Sequence, residues 1–138
     1  MGNLNFDIGT AYTFAKTFSE LDVFLFAEIT GDYFPAHFSE EYAKATPYKS
    51  RIVHGCLTFS LASTVSGMAA MNSGHSAIAC GYDLLRFKRP VFFGDTITAT
   101  YTVTKINQDE RLVTADCVMT NQNGEVVLTA IHHLKILD

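Results

Sequence analysis

From Gly55 to Met71 the chain runs without a carboxylate, and most of its side chains are small: Ser60, Ala62, Ser63, Thr64, Ser66, Gly67, Ala69 and Ala70. Leu57, Phe59, Leu61 and Met68 supply bulk between them. A helix that is weakly charged all round is a buried one. Its small side chains let a sheet approach closely on several sides, so the stretch calls for strands wrapped around it. It does not suit a bilayer, being too short and carrying the hydroxyls of Thr58, Ser60, Ser63, Thr64 and Ser66. No membrane partner is expected.

The strands are supplied late in the sequence. Ile97 to Thr104 alternates strictly, with threonines on one face, which is the signature of a half-buried strand. Leu112 to Thr120 and Val126 to Leu137 read the same way, with Asn123-Gly124 as the hairpin turn between them. Asn107 to Glu110 forms another turn, and Ser76 to Phe93 holds one or two further strands. Earlier, Thr10 to Phe18 suggests a first strand. Ser19 offers an N-cap for a short helix through Ile29, and Gly31 stops it. The segment from Asp32 to His37 is expected as loop, because Pro35 disfavours helix at the residue before it. A second short helix opens at Ser39 and ends near Pro47. The reading is α+β: about five antiparallel strands packed on one long central helix, with two short helices. No linker or repeat divides the 138 residues, of which 48% are hydrophobic and 17% charged, so residues 1–138 are expected to form one domain.

Fourteen acidic residues against ten basic ones give a net charge of −4, which argues against a nucleic-acid partner. The distribution is uneven. No Asp or Glu lies between Glu41 and Asp83, whereas Lys44, Lys49 and Arg51 fall in that gap and Arg86-Phe87-Lys88-Arg89 follows it. A buried helix excluding carboxylates accounts for most of the gap, and a locally basic surface can also receive an anionic ligand. Cys56, Cys80 and Cys117 are widely spaced, lack a C-x-x-C pair and sit among apolar neighbours as small hydrophobes. With no apolar signal-like segment in the first ten residues, the expected compartment is a reducing cytoplasm.

Phosphate-cradling glycine loops, G-x-S-x-G and metal motifs are all missing from the sequence. His132 and His133 are neighbours on a strand, so they should face opposite sides and cannot share a metal. His75, beside Gly74, reads as a solvated surface residue. Asp32 and His37 flank a proline-stiffened loop that can hold an acid and an imidazole toward one point, as paired proton transfer requires. Their spacing alone is better served by an Asp capping local amides and a His packed beside Pro35. Gly55 opens the central helix, where unpaired amides and a positive dipole end suit a developing oxyanion, or it is an ordinary glycine cap. Ser63, two turns on, either reaches toward the site or bonds back to its own helix.

Three segments together resemble a known family. Phe26 to His37, with Asp32 and His37 at its end, is similar to the hydratase motif of the MaoC-like family, which includes the (R)-specific enoyl-CoA hydratases. Ile52-Val53-His54-Gly55 resembles the start of that family's central helix. Arg86-Phe87-Lys88-Arg89-Pro90-Val91, followed by Gly94-Asp95-Thr96, resembles a third family segment. The resemblance implies a hot-dog fold, an antiparallel sheet wrapped around the central helix, and a homodimer. It implies that Asp32 and His37 are the catalytic pair, that the Gly55 amide contacts the thioester oxygen, and that Ser63 supports substrate binding. The family pattern D-x-N-P-x-H is broken at Phe34, where an amide has become a ring, which puts substrate choice in question.

The resulting expectation is a hydro-lyase adding water to a trans-2-enoyl-CoA thioester, with an acyl-CoA as its small-molecule partner and with no cofactor or metal. Two alternatives use the same scaffold. A hot-dog thioesterase would place a carboxylate on or near the central helix, and Gly55 to Met71 has none. A non-catalytic acyl-CoA-binding subunit would not depend on Asp32 and His37.

Overall fold

Alternation at period two puts Ile97, Ala99, Tyr101 and Val103 on one face of a strand, all buried, and Thr98, Thr100 and Thr102 on the other. In the computed structural model, which describes residues 2–138, that strand lies within a five-stranded antiparallel sheet. The elements run β1 (Ala11–Thr17), α1 (Glu20–Thr30), α2 (Pro35–Phe38), α3 (Glu40–Lys44), α4 (Gly55–Phe59), α5 (Leu61–Ser73), β2 (Ala77–Phe87), β3 (Thr96–Asn107), β4 (Leu112–Thr120) and β5 (Val126–Ile136). The strand order is β1-β3-β4-β5-β2. The sheet curls about α5, whose Leu61, Ala62, Val65 and Ala69 join the inner faces of β3, β4 and β5 in one core. This is the expected hot-dog architecture.

Local signals act where the sequence places them. Ser19 and Asp22 form a reciprocal capping box, with the serine hydroxyl accepting from the Asp22 amide at 3.3 Å and the carboxylate accepting from the Ser19 amide at 2.9 Å. Gly31 ends α1 at φ 78°, a left-handed conformation that glycine adopts without strain.

Other expectations are refined or corrected. The Asp32–His37 segment is not all loop: Pro35, whose fixed φ suits a first helical position, starts the four-residue α2 that carries His37. The long central helix is present from Gly55 to Ser73 as α4 and α5, which meet at Ser60 in one tight turn that keeps right-handed helical angles (φ −58°, ψ −22°). The hydroxyl of Ser60 donates back to the Leu57 carbonyl at 2.6 Å, and its amide is shared between the Cys56 and Leu57 carbonyls. That helix is also buried on one side only, since Ser63, Thr64, Gly67, Met68 and Met71 are exposed. Of the three cysteines, Cys117 is buried, whereas Cys56 and Cys80 are exposed. His75, read as solvated, is partly buried. Its Nδ1 lies 3.3 Å from the Asp138 carboxylate and its Nε2 3.2 Å from the Asn3 carbonyl, tying the two ends of the chain together.

His132 and His133 do face opposite sides. His133 turns outward to the Asp83 carboxylate at 2.7 Å. His132 is completely buried in the core, with its Nδ1 2.7 Å from the Tyr101 hydroxyl and its Nε2 unpartnered. Burial, and then the neighbouring His133, pull its pKa down from 6.5 to about 4. Unfolded chains therefore take up the His132 proton first, so its contribution to stability is complete above pH 6.5 and is lost as pH falls toward 4. Urea unfolding at pH 7 and pH 5 should show His132 costing about 2 kcal/mol of stability over that interval, a loss absent from His132→Phe.

Candidate active site

The site is assembled by a short extended stretch, Arg51 to His54, that threads between α2 and the segment after β2. Its Ile52 amide donates to the Ala36 carbonyl at 3.1 Å, and its Val53 amide to the Val91 carbonyl at 2.8 Å. Arg51 donates from Nε to the His37 carbonyl at 2.8 Å, and its guanidinium reaches Glu20 on α1 at 3.0 Å. Three helices are thereby fastened around one point.

Two of the expected residues converge there. His37 is buried, and its Nδ1 lies 2.7 Å from the Ile52 carbonyl. A carbonyl can only accept, so Nδ1 carries the proton and Nε2 keeps its lone pair. Asp32 leaves the left-handed Gly31 with its Oδ1 accepting from the Phe34 amide at 3.1 Å, and its side chain is half exposed. A carboxylate oxygen of Asp32 and a ring nitrogen of His37 lie within 4.8 Å of each other. Both line a cavity of ≈ 400 Å³ with Val53, Gly55, Thr58 and Phe87.

Gly55 is required by space rather than by backbone angle. A Cβ at this position would stand 2.9 Å from Cε1 of Phe87, whose ring walls the cavity. As the first residue of α4, Gly55 presents an amide that no turn of its own helix can satisfy. Ser63 is not brought to this cavity. It is exposed on α5, and its carbonyl accepts from the Ser66 hydroxyl at 3.1 Å. Phe34 leaves α2 without a side-chain cap and sets its ring edge-on to His37 and Tyr42, at 6.0 and 5.7 Å between centroids.

His54 is the site residue that sequence reasoning left without a role. It is 2% exposed and stacks on His37 at 3.9 Å between ring centroids, with its Nε2 3.0 Å from the Asp32 main-chain carbonyl. Its place directly before Gly55 was the available signal. Asp32, His37 and His54 offer three donor atoms within 4.8 Å, a set that could in principle hold a cation. The hydrogen bonds argue otherwise, because His54 Nε2 already faces a carbonyl and stacked rings aim their lone pairs side by side rather than at one centre.

Burial pushes the His37 pKa below its usual 6.5; the Ile52 hydrogen bond opposes this, His54 adds to it, and the Asp32 carboxylate opposes it. The arrangement is an imidazole with a free nitrogen beside a carboxylate, at the start of a helix and lining one open cavity. That is the equipment of an enzyme that moves protons on a carbonyl compound.

Comparison with known proteins identifies the group. Residues 5–124 match the MaoC like domain. The chain is 43% identical over 106 residues to an (R)-specific enoyl-CoA hydratase of Rhodospirillum rubrum, covering 77% of this chain and 72% of that one. It is 35% identical over 130 residues to a 3-hydroxybutyryl-CoA dehydratase of Methylorubrum extorquens, covering 94% and 80%. The solved (R)-hydratase from Aeromonas caviae, involved in PHA biosynthesis, superposes with a TM-score of 0.83 at 31% identity over 96% of this chain and 98% of that one. The protein belongs to the MaoC-like family.

Proton NMR of the His37 ring should give a titration midpoint below 6.5. Asp32→Asn, which removes a charge that favours the imidazolium, should move it lower still.

Proposed function

We propose that this protein is an (R)-specific enoyl-CoA hydratase that adds water across the trans-2 double bond of an acyl-CoA thioester and, in reverse, dehydrates the (R)-3-hydroxyacyl thioester. The observation that carries the reading is the meeting of a carboxylate and an imidazole with a free Nε2 beside Gly55 in one cavity. The family and the printed activities of the relatives support it.

The geometry suits the chemistry in the following way. Water delivers its oxygen to C3 and a proton to C2, and between these events the electrons of the double bond rest on the thioester oxygen as an enolate. His37 Nε2, held neutral by burial and oriented by Ile52, can take a proton from water. The Asp32 carboxylate orients that water and shares the proton shuttle. The Gly55 amide, at the positive end of α4, receives the enolate oxygen; one such donor is worth on the order of 3 kcal/mol to the transition state. Addition of water is redox-neutral, so no electron carrier enters. Lys88 and Arg89 also line the cavity, where coenzyme A phosphates would meet positive charge.

The acting unit is a single domain over residues 1–138, working as a homodimer in a reducing cytoplasm that suits its three free thiols. β2 is an edge strand with Ile78, Leu84 and Phe87 exposed, and α5 leaves an uncharged face uncovered. Ser63 belongs to that face, so its expected part in substrate binding requires a second copy to close around it.

Loss of the conjugated-thioester absorbance with crotonyl-CoA tests the reading. Wild type should hydrate it with no free thiol released, and Asp32→Asn and His37→Ala should each lower kcat by about 10³-fold. Thiol release would instead mark a thioesterase, and full activity in both variants a different site. In sedimentation the protein should run as a dimer at micromolar concentration; a stable monomer would remove the second-copy role of Ser63.

A further inference from the structure

We propose that His54 is the positioning residue of this site, its imidazole donating Nε2–H to the Asp32 main-chain carbonyl while its ring lies flat against His37, so that one side chain sets the carboxylate and the proton-carrying imidazole in register. The proposal rests on the hydratase reading of Asp32 and His37.

The ring has little freedom. His54 caps α4, where its own carbonyl accepts from the Leu57 and Thr58 amides, both at 3.1 Å, so its backbone is fixed by the helix start. Phe26 of α1 lies 4.8 Å from the imidazole centroid and Phe38 of α2 lies 6.1 Å away, edge-on. Within this box His37 is stacked at 3.9 Å with 26° between the planes.

The chemistry of the two nitrogens then follows. Nε2 faces a main-chain carbonyl, which can only accept, so Nε2 bears the proton. Among the described residues Nδ1 is buried without a partner, so a proton there would have no acceptor. The Nε2–H tautomer is therefore the one the box selects.

Asp32 sits in an exposed segment, where water could serve its carbonyl. A buried imidazole serves it instead, at the cost of an orphaned nitrogen, and a phenyl ring would fill the same box without that cost. What the imidazole adds is a donor that pins the peptide carrying the Asp32 carboxylate. Its plane fixes the rotation of His37, already tethered at Nδ1. Displacements near 1 Å at such a pair reduce turnover rather than binding.

Two variants divide the two contributions. His54→Phe keeps the plate and loses the donor, whereas His54→Gln places an amide donor near Nε2 and loses the plate. With crotonyl-CoA, His54→Phe should lower kcat by roughly 10- to 100-fold with KM within about threefold of wild type, and His54→Gln should lose less than His54→Phe, the donor being the larger of the two contributions. Unchanged kcat in His54→Phe, equal losses in the two variants, or a loss confined to KM would each overturn the proposal. A readout independent of activity and of the variants' folding is the ¹⁵N–¹H correlation spectrum of the wild-type histidine rings. It should show His54 protonated at Nε2 and bare at Nδ1, and a protonated Nδ1 would overturn the proposal. Absence of hydration by wild type would instead defeat the hydratase reading and leave the tautomer measurement standing.

Discussion

The site depends on two main-chain hydrogen bonds made by a stretch that belongs to no regular element. Ile52 binds Ala36 and Val53 binds Val91, and these bonds lock the approach to α4 between α2 and the chain leaving β2. Each is individually modest, about 1 kcal/mol net. Their effect is geometric: they aim the Ile52 carbonyl at His37, set His54 under that ring, and deliver Gly55 to the cavity wall. Without this stretch the acid loop and the helix start would be separate surface features.

The fold holds imidazoles neutral in two places and for different ends. At His37 desolvation acts against an exposed carboxylate, leaving a base whose free nitrogen opens onto the cavity. At His132 burial is complete and the nearby charge has the same sign, so the shift is larger and the ring serves only to satisfy Tyr101 in the core. Burial is the common cause, and at His37 the Asp32 carboxylate works against it.

What could be read from the residues follows the range of the interactions involved. The Ser19 box, the Gly31 stop and the alternation of β3 are short-range signals, and each appears where the sequence places it. Asp32 and His37 are marked by their resemblance to a family motif, since their spacing alone favours a cap and a packed ring. The one-sided burial of α5 is set by how far the sheet wraps, a tertiary property. The donor role of His54 spans 22 residues to Asp32, a distance at which no local pattern carries information.

β2 pairs with β5 in short regular runs, Ala77–Ala79, Gly81–Asp83 and Arg86–Phe87, interrupted by two irregularities, with Leu84 at φ 50° inside the second. A strand broken in this way cannot template an endless ladder, because any incoming chain loses register within a few residues. An apolar edge interrupted in this way offers no long regular surface for fibril growth. The same distortion that carries Phe87 to the cavity guards the protein against runaway stacking.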